Sequence, residues 1–587
     1  MEIFGANISY EANVFLQNNI NKNPSLLEIN ELLYKTTGII KFFNSEIELE
    51  NFTNIIHEVN TVQEQNRAEY GDFQTNMELA NTIVKQLITN GVLPETLIEP
   101  TCGKGNFIIA SLNNFPGLKS VYGIEIYKPY IWETKFRILD FYLNRTVNDI
   151  PEIHIIQCSI FNFDFRQIAT GHAAESILII GNPPWVTNAK LSSLNSDNIP
   201  DKSNFKNHVG LDAITGKGNF DIAECITLMI FDSFQNSKGD FAFLVKNSVI
   251  KNIVFDQKKN KYRIGPLTKY DIDSKKEFNV SVEAAILLCK LNITPCFDCC
   301  EIDFYKQEKL KKFGWVGDKF VSNIDCYNDS KAIDNGCPFE WRQGLKHDCS
   351  SIMELDKVNG HYINGNKELV ILEDNLVYAL LKSSDLKNAA VNTTRKYTIV
   401  TQKKVGQETN YIKFDYPKTY NYLQGHQEIF EARKSSIYKN KPLFSIFGIG
   451  DYSFKPYKVA ISGFYKTFHF TLILPLAGKP VMLDDTCYFL GFDNIEFAAY
   501  TTILLNSSLT KHFLEAITFP DAKRTFTKDV LMRIDLYTLA TLLSYKNLEK
   551  EIAALNYKYN IDIGLSFWDK FMEEMKPIKN TQTALFA

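Results

Sequence analysis

The 587-residue chain has no apolar run long enough to cross a bilayer as a helix. Its first residues, Met1-Glu2-Ile3-Phe4, lack the basic and apolar regions of a secretory leader. No internal repeat is visible, which argues against a solenoid or propeller. A glycine segment near residue 103 has no third glycine and no following Gly-Lys-Ser/Thr, so a phosphate-cradling loop is poorly supported. Eleven cysteines, an odd number in a large chain, read as reduced thiols. These features lead us to expect a cytoplasmic protein with no membrane partner. Six of the cysteines (Cys296, Cys299, Cys300, Cys326, Cys337 and Cys349) crowd one stretch. Cys296-x-x-Cys299 has zinc-like spacing, but Cys326 and Cys337 do not repeat it, and ordinary small apolar residues are the simpler account. We expect no metal.

Hydrophobic residues make up 45% of the chain, enough to fill more than one core. The apolar run Ile177-Leu178-Ile179-Ile180 reads as a buried strand, and Asn182-Pro183-Pro184-Trp185 stands at its carboxyl end. Two prolines stiffen the backbone and remove two donors, leaving carbonyls to accept. With the Asn182 carboxamide and the flat Trp185 ring, they could hold a planar group bearing –NH2. Two acceptors would pull such a nitrogen toward tetrahedral geometry and expose its lone pair, an interaction that strengthens in the transition state. Taken alone, the tetrapeptide also reads as a rigid turn after a core strand.

A second motif adds weight. Glu99-Pro100-Thr101-Cys102-Gly103-Lys104-Gly105-Asn106-Phe107 follows the strand-like Thr96-Leu97-Ile98 and precedes a helical run. Strand, glycine turn, helix is a nucleotide-binding arrangement in which glycines let backbone approach the ligand. About twenty residues on, Val121-Tyr122-Gly123-Ile124-Glu125 reads as a strand ending in an acid placed to bind two ribose hydroxyls. Strands at 97–101, 121–126, 153–158, 177–181, 241–246 and 284–289, with a helix over 221–234, predict an α/β fold: an open, doubly wound, Rossmann-like sheet.

In this order of motifs the chain resembles the N6-adenine-specific DNA methyltransferases of restriction-modification systems, whose cofactor motif precedes the Asn-Pro-Pro-aromatic motif and whose target-recognition domain follows. The resemblance implies transfer of a methyl group from S-adenosyl-L-methionine to adenine N6 of a flipped-out base in double-stranded DNA. Tyr70-Gly71-Asp72-Phe73-Gln74-Thr75 is similar to the segment that closes over the methionine end of the cofactor, with Thr75 contacting its carboxylate. The same resemblance gives Glu99, Thr101, Gly103, Gly105, Phe107, Glu125 and Asn182 to the cofactor side. It gives Asn182, Pro183, Pro184, Trp185 and Phe278 to catalysis, with Trp185 and Phe278 covering the two faces of the base. Val186-Thr187-Asn188-Ala189, Gly216-Lys217-Gly218-Asn219-Phe220-Asp221-Ile222-Ala223 and Glu277-Phe278-Asn279-Val280 also match the pattern. Two departures concern cofactor affinity. Glu99 stands where aspartate is usual, and Ser159 falls where an aspartate often binds the cofactor adenine; a hydroxyl accepts that bond more weakly.

The net charge is −4, but residues 391–470 carry thirteen Lys/Arg against five Asp/Glu and seventeen Phe or Tyr. Interleaving such as Tyr411-Ile412-Lys413-Phe414 suits a surface that meets phosphates and covers bases, although a solvated basic face reads equally well. We therefore expect a helical N-terminal region (1–65) and a methyltransferase domain (66–295). A connector (296–340), an α+β target-recognition domain (341–540) and a helical tail (541–587), which packs back or mediates assembly, would follow. The polar stretch between Trp185 and Gly218 has the length of a lid. Glu340-Trp341-Arg342-Gln343-Gly344-Leu345-Lys346 resembles the start of the recognition domain, and Leu505-Asn506-Ser507-Ser508-Leu509 and Asp521-Ala522-Lys523-Arg524 resemble its closing part. A separate restriction endonuclease is a compatible partner, since the N-terminal region shows no convincing Asp…Glu-x-Lys constellation. Two rivals stay open: a related enzyme acting on RNA or a protein glutamine amide, and a non-catalytic DNA-binding subunit.

Overall fold

The computed structural model describes residues 2–56, 73–145, 149–187, 221–386, 394–464, 468–519 and 524–576. The chain divides into two compact units, Met1–Phe320 and Val321–Ala587.

In the first unit three helices come first: α1 (Tyr10–Ile20), α2 (Leu26–Thr37) and α3 (Glu46–Ile55). Ser9, Ser25 and Ser45 each accept a first-turn backbone N–H, and Ser25 forms a full capping box with Glu28. Asn76 starts α4 (Met77–Thr89) in the same way. Ten strands then build one sheet: β1 (Thr96–Glu99), β2 (Ser120–Glu125), β3 (Glu152–Gln157), β4 (Ile177–Gly181), β5 (Gly239–Lys246), β6 (Ile264–Ile272), β7 (Ala284–Leu291), β8 (Asp298–Asp303), β9 (Lys309–Val316) and β10 (Lys319–Val321). Their order is β10-β9-β8-β6-β7-β5-β4-β1-β2-β3. β1 to β5 run parallel, and β7 runs antiparallel to both β5 and β6.

Helices α5 (Asn106–Asn114), α6 (Lys128–Leu143), α7 (Arg166–Gly171), α8 (Ile222–Phe234) and α9 (Asn247–Asn260) join the parallel strands, and α10 (Ser274–Phe278) precedes β7. This is the doubly wound Rossmann-like sheet expected from the sequence. Every residue of β1 and β4 is buried, as strands covered on both faces by helical layers require. β1 and β4 are neighbours, paired Ile98 to Ile179, and the chain winds away from them in opposite directions. Their carboxyl ends therefore form the switch point at which such sheets bind ligands.

Two parts differ from expectation. β6 was not anticipated, because Gly265, Pro266 and Lys269 interrupt its apolar pattern. Lys269 is buried, held by Glu301 at 3.0 Å and Asp271 at 2.9 Å, so its charge is matched inside the sheet. Residues 298–321, assigned above to a connector, supply β8, β9 and β10. The N-terminal region is also built into this unit, with Ile39 bridging to Ile153 on the edge strand β3.

The second unit is α+β. A four-stranded antiparallel sheet orders Arg342–Gln343, Cys487–Phe492, Tyr457–Ser462 and Thr471–Ile473. A six-stranded mixed sheet orders Leu369–Val370, His361–Asn364, Glu354–Val358, Lys396–Ile399, Val377–Leu381 and Met482–Leu483. The tail helix Trp568–Met575 packs back: Phe571 lies 5.2 Å from Phe497 and 5.4 Å from Tyr500. Among the described residues, no helix is long and apolar enough to cross a membrane, and no group of three His, Cys, Asp or Glu is placed to hold a metal ion.

Candidate active site

The loop after β1 turns sharply into α5. Gly103 (φ +51°) and Gly105 (φ +73°) both occupy the left-handed region. A Cβ on Gly103 would lie 2.7 Å from the Gln74 amide, and one on Gly105 would lie 2.7 Å from the Thr134 methyl. Glu125, at the end of β2, accepts the Gly103 N–H at 3.0 Å and the Tyr127 N–H at 2.9 Å. Each carboxylate oxygen can accept a further bond, so the geometry suits a diol. Glu99 is buried behind the loop and accepts the Ile108 N–H at 3.2 Å. Burial pushes its carboxyl well above the usual range, and the Glu125 charge adds to the effect. Thr101 Oγ1 is buried with no hydrogen-bond partner in the structure.

From below, α6 supports this loop. Thr134 donates to the Gly103 carbonyl at 3.0 Å, and Arg137 donates to the Lys104 carbonyl at 2.7 Å. Neither residue was picked out from sequence. The Phe107 ring packs into the core, leaving its backbone rather than its side chain beside the loop. The Ser159 hydroxyl accepts the Phe161 N–H at 3.4 Å, capping the short turn that follows β3.

Asn182 follows the last residue of β4. Its Nδ2 donates to the Phe73 carbonyl at 2.6 Å and to Thr75 Oγ1 at 3.1 Å. A carbonyl can only accept, so the amide nitrogen must face Phe73 and the oxygen must face away. That oxygen is buried and has no hydrogen-bond partner in the structure. An unmet buried acceptor is costly to fold around and calls for a ligand or functional explanation.

Trp185 is buried, and its indole N–H points to the Leu244 carbonyl at 3.4 Å. Its ring lies 5.4 Å from Phe73 and 5.1 Å from Phe278. Phe278 ends α10, which Asp273 caps at one end and Asn279 closes at the other in the left-handed conformation. Tyr305 O–H donates to Glu277 at 2.8 Å, fixing the same turn. Thr187 and Asp221 are joined by an antiparallel bridge, and Asp221 pairs with Lys246. Burial raises the Asp221 carboxyl, and the Lys246 charge opposes that shift.

The structure thus gathers Phe73, Gln74, Thr75, Gly103, Gly105 and Asn182 with their partners, and it adds Thr134 and Arg137 to them. Tyr70, Gly71 and Asp72, the stretch from Asn188 to Phe220, and Asp521, Ala522 and Lys523 lie outside the described residues.

No family model matches the sequence. The type II methyltransferase M.NspV of Nostoc sp. (strain ATCC 29411 / PCC 7524) is 40% identical over 492 residues, covering 83% of this chain and all of that one. The chain belongs to the type II methyltransferases. The restriction-modification enzyme MmeI of type IIL, solved in complex with DNA, shares the fold. Its TM-score is 0.51 at 13% identity, covering 86% of this chain and 72% of that one. As a type II methyltransferase the protein uses S-adenosylmethionine. The residues fit that cofactor: a glycine cradle closed to any Cβ, the Glu125 carboxylate at the end of β2, and the orphan Thr101 hydroxyl.

Proposed function

We propose that this methyltransferase is sequence-specific for DNA and modifies N6 of an adenine flipped out of the duplex. The observation that carries the reading is the buried, unpartnered Oδ1 of Asn182, whose orientation is fixed by Phe73 and Thr75. Asn182 Oδ1 and the Pro183 carbonyl would accept the two amine hydrogens, and Pro184 would keep that backbone stiff. Trp185 and Phe278 would cover the faces of the base. Glu99, Thr101, Gly103, Gly105, Phe107, Glu125 and Ser159 would line the cofactor site, with Glu125 taking the ribose hydroxyls. S-adenosylmethionine supplies an already activated methyl group, which leaves alignment and electrostatics to the protein.

The Lys-aromatic content of residues 391–470 supports a nucleic acid over a protein glutamine, because phosphates and bases both find partners there. On this reading the enzyme works in the cytoplasm, where its DNA is, and a separate endonuclease completes a restriction-modification pair. The test supplies labelled S-adenosylmethionine with unmethylated genomic DNA, bulk RNA or protein extract. Label confined to N6-methyl-2′-deoxyadenosine from the DNA digest is expected. Label confined to RNA or to glutamine would overturn the proposal.

A further inference from the structure

Residues Phe73, Gln74 and Thr75 precede α4 and touch three parts of the site at once. The Phe73 carbonyl and the Thr75 hydroxyl oxygen accept the two Nδ2 hydrogens of Asn182, at 2.6 and 3.1 Å. The Gln74 amide lies over Gly103 and accepts the Lys104 N–H at 3.4 Å. The Thr75 carbonyl accepts from Asn106 Nδ2, at the start of α5, at 2.6 Å. Thr75 is buried, and it bonds both Asn182, just past β4, and Asn106, at the start of α5.

A carboxamide is nearly symmetric in shape, and a turn of 180° about its last torsion exchanges oxygen for nitrogen. An inverted Asn182 would present N–H to the amine hydrogens of the substrate and repel them. The Phe73 carbonyl, which can only accept, removes that alternative, and the Thr75 hydroxyl adds a second bond that holds the amide in the kept orientation. We propose that Thr75 is a positioning residue for the methyl-transfer step: its hydroxyl oxygen, with the Phe73 carbonyl, holds Asn182 so that Oδ1 receives the substrate amine. This rests on the reading of Asn182 as amine acceptor given above. A hydroxyl carries one donor and two acceptor sites, so accepting from Asn182 leaves the Thr75 O–H to serve the cofactor carboxylate as well. Because Gln74 sits on the glycine loop, the same three residues tie order in that loop to the orientation of Asn182.

The test compares wild type, Thr75→Val, Thr75→Ser and Asn182→Ala on unmethylated genomic DNA. Single-turnover methyl transfer at saturating S-adenosylmethionine and cofactor affinity by calorimetry are both measured, with thermal melts for each variant. Thr75→Val is isosteric but cannot accept, and is expected to slow the step roughly 10- to 100-fold at saturation, in line with the penalty for a misaligned reacting group. Thr75→Ser keeps the oxygen and is expected to stay within about threefold of wild type, a rescue that loss of packing would not give. A Thr75→Val enzyme with weakened cofactor affinity but wild-type rate at saturation would overturn the proposal, as would equal slowing in the serine variant. Retained rate in Asn182→Ala would instead remove the underlying reading of Asn182.

Discussion

Trp185 and Phe278 meet edge to face, with ring centroids 5.1 Å apart and planes inclined by 66°. A base stacked between two rings needs them parallel and separated by about 7 Å, two van der Waals contacts. Trp185 is buried and held by the Leu244 carbonyl, whereas Phe278 is half-buried at the end of a five-residue helix. On the proposed function, Phe278 would be the ring that moves when a base enters, and Trp185 the fixed face.

The two rings should respond differently to truncation. Phe278→Ala is expected to weaken productive DNA binding by about 1–3 kcal/mol, the worth of one stacked face, with little change in melting temperature. Trp185→Ala should also lower stability, by about 3–5 kcal/mol, because it empties a buried site. Melting curves beside DNA titrations check this; equal destabilisation by both variants would contradict it.

Gly105 and Gly91 separate strain from steric closure. Both have left-handed φ, +73° and +79°, but a Cβ on Gly91 meets nothing within 4 Å while one on Gly105 meets Thr134. Gly91→Ala is expected to cost about 1–2 kcal/mol from conformation alone and to leave cofactor affinity intact. Gly105→Ala should cost more and weaken S-adenosylmethionine binding at least tenfold, as calorimetry would show.

Lys458 makes stability depend on pH. It is fully buried in the second unit, donates to the Lys455 carbonyl at 2.7 Å, and burial lowers it from 10.5 to about 7. Between those values the unfolded chain holds more protons than the native one, so stability rises with pH across that window. Below pH 7 the native state bears the full penalty of the buried amine, and the penalty shrinks as pH climbs toward 10.5. Lys458→Met is therefore expected to stabilise by roughly 2–4 kcal/mol at pH 6 and by progressively less toward pH 10. Denaturant melts across that range test it, and a pH-independent gain would contradict it.

The parts of the fold legible in sequence are those where local pattern and tertiary environment agree. β4 and the middle of β1 (Leu97-Ile98) are apolar because both faces of these strands are covered, and the motif loops follow them directly. β6 was hidden because glycine, proline and lysine usually count against a strand interior. Its Lys269 is tolerated only through partners 32 and 2 residues away, Glu301 and Asp271, and no local window reveals the first of these. At the site, the glycine loop and Asn182 were visible as motifs. The contacts that orient them were not: Thr75 lies 107 residues from Asn182, and Thr134 lies 31 from Gly103. A lone threonine in a helix carries no signal of the carbonyl it will reach.

The proposed function stands on the buried, unpartnered Oδ1 of Asn182 as acceptor for the amine of a DNA adenine. It is tested most directly by incubating wild type and Asn182→Ala with labelled S-adenosylmethionine and unmethylated DNA, then digesting to nucleosides. Label is expected in N6-methyl-2′-deoxyadenosine with wild type, with a loss of about 10²- to 10³-fold in the variant, the usual effect of removing one transition-state hydrogen bond. Label in another nucleoside, or undiminished N6-methyl-2′-deoxyadenosine from the variant, would contradict it.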